Sequence, residues 1–172
     1  MAGTAWTDAG GLAADVGREE RRLLGGLAVL AVTSIAAGAA VRRAVRARGT
    51  GGPLADVAAG VARQAVGWGL VDLAIAGWGV QGLLRARRAA ADDDVAAARA
   101  RRLARVTGAN AVADVGYVAA GALLAARSPA RRGDGLGIVV QGAALLWLDV
   151  THAWAFRGLS SGNRGRSVGA RP

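Results

Sequence analysis

The chain has 172 residues, is 53% hydrophobic but only 4% aromatic, and carries 22 basic against 12 acidic groups, for a net charge of +10. Every basic residue is an arginine and there is no cysteine, which excludes disulfides, thiolate metal sites, iron–sulfur clusters and cysteine nucleophiles. The arginines gather in short runs between apolar segments instead of forming a stripe with aromatic platforms; this argues against a nucleic acid partner and for a membrane, where arginine collects at helix ends.

Residues 1–22 mix acidic and basic groups and form an amino-terminal segment ahead of the first apolar stretch, Leu23–Val41, which lies between Arg21–Arg22 and Arg42–Arg43. A basic start, an apolar core and Ala37-Gly38-Ala39 also fit a signal peptide. The preceding 22 residues, with four acidic groups, make an unusually long and mixed leader, so the stretch is expected to stay as a helix. Ser34 and Gly38, four apart, give it a small face for packing. "RGTGGP" (48–53) is a turn, and Leu54–Ala62 is expected as a short helix at the interface. The second stretch, Gln64–Leu84, ends in the Arg85–Arg88 run. In "ADDDVAAARARRLARV" (91–106), three aspartates precede the arginines, which suits the dipole of a helix beginning about three turns outside the membrane. The third stretch, Val106–Ala126, is the least apolar and depends on its neighbours. The fourth is Leu136–Phe156, and residues 158–172, rich in Gly, Ser and Arg, are expected to be disordered.

Each stretch matches the roughly 20 residues that cross a hydrocarbon core. The expected fold is all-α, a four-transmembrane-helix bundle over residues 23–157, and the Ala-, Gly- and Arg-rich composition points to a high-GC bacterium. Fourteen arginines fall on the side of the termini and the 85–105 loop, against eight on the other. Both termini are therefore expected in the cytoplasm, with the chain in the inner membrane.

Polar residues interrupt the stretches near their middles: "GWGLVDLAIAGWG" holds Asp72, "GANAVADVGYVAAG" holds Asp114, and "ALLWLDVTHAWAF" (144–156) holds Asp149 and His152. At about 100° per residue, Gln141, Asp149 and His152 share one arc, Asn110, Asp114 and Tyr117 a second, and Gln64 and Asp72 a third. Facing lipid, a carboxylate costs a few kcal/mol or more, so these stripes are expected to face one another. Gln-x7-Asp occurs twice, at Gln64/Asp72 and Gln141/Asp149, which hints at a duplicated two-helix unit. Gly67, Gly69, Gly77 and Gly79 suit close helix approach and form no phosphate loop.

Two roles are open for the polar interior. It can join helices by hydrogen bonds between aspartates and the amide, hydroxyl and indole groups of neighbours, or it can bind a cation, a proton or a small polar ligand. Haem lacks a second axial ligand, and no metal-ligand spacing exists beyond Asp149-x-x-His152. No aspartate lies in a recognisable hydrolytic context, and no Gly-x-Ser-x-Gly elbow offers a nucleophile. No cofactor, metal or catalytic residue is expected, and the chain is expected to be non-enzymatic.

"NAVADVGYVAAG" (110–121) and "GLGIVVQGAALLWLDVTHAW" (135–154) resemble a family of small uncharacterised bacterial membrane proteins. In that family an Asn-x-x-x-Asp-Val-x-Tyr element lies in the third of four spans, and Gly-x-Gly-x-x-x-Gln-Gly precedes Asp and His in the fourth. The resemblance implies four retained helices and a single feature made of Asn110, Asp114, Tyr117, Gln141, Asp149 and His152; it implies no activity. The expected partners are the lipid bilayer and, through small-residue faces, a second copy or another membrane protein.

Overall fold

A computed structural model describes residues 11–49, 51–88 and 92–168, and among these it contains four long helices and no strand. They are α1 (Leu12–Arg48), α2 (Pro53–Arg88), α3 (Asp93–Arg127) and α4 (Arg132–Val168), with one 3-10 turn at Pro129–Arg131 between the last two. Local chemistry sets the ends. Gly49 closes α1 in the left-handed conformation at φ 61°, Pro53 opens α2, and the Asp92 side chain caps α3 by accepting from the Asp94 amide at 2.8 Å. The aspartate run thus begins a helix as its sequence suggests.

The helices have 35 to 37 residues, which at about 1.5 Å per residue exceeds a hydrocarbon core of about 30 Å. The expected spans are therefore the inner parts of longer rods. α1 begins eleven residues before Leu23, and Leu54–Ala62 is the opening of α2 and not a separate helix. α4 runs on to Val168, through much of the tail expected to be disordered; extending an existing helix costs little once it is nucleated. Residues 1–10 and 169–172 lie outside the described residues, as do 89–91 of the long connection. By length and composition α1, α3 and the Pro129–Ser161 stretch are apolar enough to cross a membrane. α2 is not among them, since Gln64, Asp72 and Gln81 interrupt its apolar run; the stretch that falls short is thus the second, while the third, expected to be the least apolar, qualifies.

α1 packs mainly on α2 and α3 mainly on α4, while α1 and α4 also touch each other. α4 further packs on α2, and α1 on α3, but the α2 and α3 backbones do not approach closely among the described residues; their contact is made by long side chains, Trp68 against Tyr117. Small residues permit the closest approaches. A Cβ on Gly38 would lie 2.7 Å from the Ala62 carbonyl oxygen, and one on Gly135 would lie 2.5 Å from that of Gly121. Of the four α2 glycines that the sequence singles out, Gly69 and Gly79 lie against α1, whereas Gly67 and Gly77 face open space.

At one end of the bundle Leu12 and Val16 of α1 pack with Ala96, Ala100 and Ala104 of α3 and Phe156 of α4. Along the middle the usual distribution is inverted: Asp72, Asp114, Gln141 and Asp149 are buried, while Trp78 and Trp147 are 79% and 76% exposed and Val29, Leu70, Val112 and Val140 also point outward.

The glycine contacts predict that Gly135→Val destabilises the detergent-solubilised protein by about 1–3 kcal/mol through overpacking, while Gly67→Val, with nothing near its Cβ, is tolerated. Thermal unfolding of both variants checks this; equal effects would contradict the close α3–α4 crossing.

Candidate functional site

The polar residues that join the helices fall into three groups along the bundle. At the centre, Gln141 of α4 donates from Nε2 to Asp72 Oδ2 of α2 at 2.5 Å, and its Oε1 accepts from Ser34 Oγ of α1 at 3.1 Å. One amide side chain thus ties three helices, and it satisfies a carboxylate that is only 2% exposed. Leaving such a group unpaired in an apolar interior costs several times what the bond contributes.

Beside this bridge, Asp149 of α4 and Asp114 and Asn110 of α3 line one cavity. Asp114 is 4% exposed, and its Oδ2 has no hydrogen-bond partner among the described residues. Carboxyl groups that share a low-dielectric site repel when both are ionised, and a proton held between them relieves that repulsion. The cavity has a volume of about 470 Å³, and all four helices contribute to it. Its wall is largely leucine, valine and isoleucine, and it reaches the surface at exposed Ile75, Val106 and Tyr117. The Trp68 and Tyr117 rings meet edge to face at 5.3 Å and bridge α2 and α3 within this wall.

His152 belongs to a second group. Its Nδ1 lies 2.7 Å from Glu19 Oε1 on α1, and next to that pair Arg99 of α3 donates two hydrogen bonds, at 3.0 and 2.8 Å, to Glu20. The third group is at the opposite end, where Gln64 Nε2 donates to Asp134 Oδ1 at 3.1 Å and Arg63 forks onto both oxygens of that carboxylate. The hydrogen bonds from Arg63 hold the Asp134 carboxyl below the usual carboxylate range despite partial burial.

Of the eight residues singled out by their spacing, Asp72, Asn110, Asp114, Gln141 and Asp149 come together, with Tyr117 on the same cavity wall. Gln64 and His152 do not join them. The repeated Gln-x7-Asp spacing does not bond as two equivalent units, since Gln141 reaches across to Asp72 while Gln64 reaches Asp134, outside the repeat. Spacing alone misses Glu19, Glu20, Arg99, Arg63 and Asp134, because they lie beyond the apolar stretches. A signal for Glu20 does exist: Leu12, Val16, Glu20, Leu27, Ala31 and Gly38 are the buried residues of α1 and follow one helical face. Extending that face back from Gly38 arrives at the glutamate.

A carboxyl whose folded pKa is lowered contributes stability that is complete above its ordinary range and is lost as the pH falls through the folded value. Asp134→Asn is therefore expected to lower the melting temperature at pH 7, with the gap to wild type closing as the pH drops below about 4. A gap that stays constant or widens on acidification would contradict the Arg63–Asp134 clamp.

No curated protein and no solved structure matches the chain. A family model does match, over residues 26–150, and this stretch contains Ser34, Gln64, Asp72, Asn110, Asp114, Tyr117, Gln141 and Asp149 but neither Glu19, Glu20 nor His152. With most of its length covered, including the whole Asp72–Gln141–Asp149 centre, the chain belongs to DUF6992, a family of unknown function.

Proposed function

We propose that this is a non-enzymatic integral membrane protein in which all four helices cross the bilayer and the interior polar residues serve helix assembly. The inverted distribution carries the reading. Water would favour Asp72, Asp114 and Gln141 outside and Trp78, Trp147 and Val112 inside, whereas in lipid the polar groups gain by pairing with one another and apolar side chains face outward at no cost. α2, whose apolar run is interrupted by Gln64, Asp72 and Gln81, crosses on the strength of its packing against α1 and α4, an arrangement that the Gln141–Asp72 bond supports. The arginine excess at the termini and the α2–α3 connection supports termini on the cytoplasmic side of a bacterial inner membrane.

A second reading is a small transporter or a ligand-binding membrane protein coupled to a proton or cation. It is favoured by the unpartnered Oδ2 of Asp114 beside an open cavity, an arrangement that helix assembly alone does not call for.

The assembly reading predicts that Gln141→Leu, which strands the Asp72 carboxyl, lowers stability by about 1–2 kcal/mol in detergent. Asp114→Asn, which relieves two facing carboxyls, is expected to be neutral or stabilising. Unfolding of both variants in a graded denaturing detergent distinguishes them, and Gln141→Leu at wild-type stability would overturn the assembly role.

A further inference from the structure

The cavity beside Asp114 has an unusual charge inventory. Four acidic residues line it, Glu20, Asp72, Asp114 and Asp149, and no arginine or histidine does. Two of the four are already satisfied: Glu20 by the fork of Arg99, and Asp72 by the Gln141 amide. Asp114 and Asp149 share the wall with Asn110 and meet no cationic side chain there, and Oδ2 of Asp114 accepts from nothing among the described residues. A carboxyl pair holding one proton keeps one negative charge, and no cation of the protein lies on the wall to balance it.

We propose that this cavity binds a monovalent organic cation bearing apolar substituents, with the Asp114–Asp149 pair as its counter-charge. The inference rests on the ligand-binding reading and names its ligand class. Size agrees, because about 470 Å³ falls within the roughly 300–1,000 Å³ typical of small-molecule sites. Chemistry selects the kind of cation. A divalent ion needs about six oxygen ligands and a site able to replace its hydration shell, but this wall is mostly carbon, with Leu23, Leu27, Ile75 and Leu148 prominent. An organic cation sheds little hydration and gains from burying its substituents on those side chains. The Trp68 and Tyr117 rings on the same wall offer aromatic faces to such a charge. Exposed Ile75 and Val106 mark an entrance on the apolar outer surface, so a ligand dissolved in the bilayer enters sideways without crossing water.

The test uses the full chain in nanodiscs of zwitterionic lipid, with radiolabelled tetraphenylphosphonium as probe and neutral triphenylphosphine oxide as competitor. The expected result is saturable binding that the neutral compound does not displace, weakened about tenfold or more in the double variant Asp114→Asn/Asp149→Asn, which removes the pair's negative charge altogether. Ile75→Trp, which fills the entrance and leaves both carboxyls intact, is expected to weaken it as well, so the assignment does not depend on one variant that alters the polar centre. Saturable binding unchanged in both folded variants overturns the proposal. Saturable binding of triphenylphosphine oxide in place of tetraphenylphosphonium overturns the cation class and leaves the ligand-binding reading standing; saturable binding of neither overturns both.

Discussion

In the interior of this bundle a carboxylate must find its partner on another helix, and the rest of the structure follows from how Asp72 does so. Gln141 gives its amide hydrogen to Asp72 and receives the Ser34 hydroxyl on its oxygen, so α1, α2 and α4 are fixed in mutual register by one side chain. The glycine contacts let the backbones come close enough for these short side chains to meet: Gly38 brings α1 against α2, and Gly135 brings α4 against α3. Replacing either with a larger residue would push the helices apart by more than a hydrogen bond tolerates.

Register at the centre propagates to charged pairs at both ends. Glu19 and Glu20 on α1 meet His152 and Arg99, and Arg63 on α2 meets Asp134 at the start of α4. The two arginine–carboxylate ion pairs and the His152–Glu19 hydrogen bond join helices distant in sequence, and at least one partner in each is largely buried, which distinguishes them from the exposed Asp15–Arg18 pair within α1. An exposed pair within one helix adds little, whereas truncating one member of a buried pair leaves a stranded charge. α2 and α3 share no such pair among the described residues, their backbones stay apart with only the Trp68–Tyr117 rings meeting between them, and the cavity lies beside that contact.

Much of this was legible in the sequence. Arginine flanks and apolar length located four helices, and the 100° arithmetic gathered Asp72, Asp114, Asp149 and Gln141 on facing stripes. The same arithmetic failed for His152: sharing an arc with Asp149 fixes direction but not partner, and the glutamate that claims the imidazole sits in a segment read as lying outside the bundle. Gln64 failed for a related reason, since its partner Asp134 begins α4 just before the apolar run. Helix extent was misjudged because apolarity reports where lipid would lie and not where the backbone stops being helical; Leu12–Arg22 is polar enough to end a span yet continues the same rod. The shortfall of α2 as a span follows from Gln64, Asp72 and Gln81 together in one apolar run, whereas Val106–Ala126 offsets Asn110 and Asp114 with an uninterrupted apolar second half.

The central claim is that the exterior of the bundle faces lipid while its polar groups face inward. Because the chain has no cysteine, single spin labels can be placed cleanly at Val29, Leu70, Val112 and Trp147, one exposed apolar position per helix, in protein reconstituted into bilayers. The expected result at all four is efficient relaxation by oxygen, which concentrates in lipid, and little by a water-soluble nickel chelate. Strong relaxation by the nickel chelate at these positions would mean that the apolar faces meet water, and would contradict the inverted bundle.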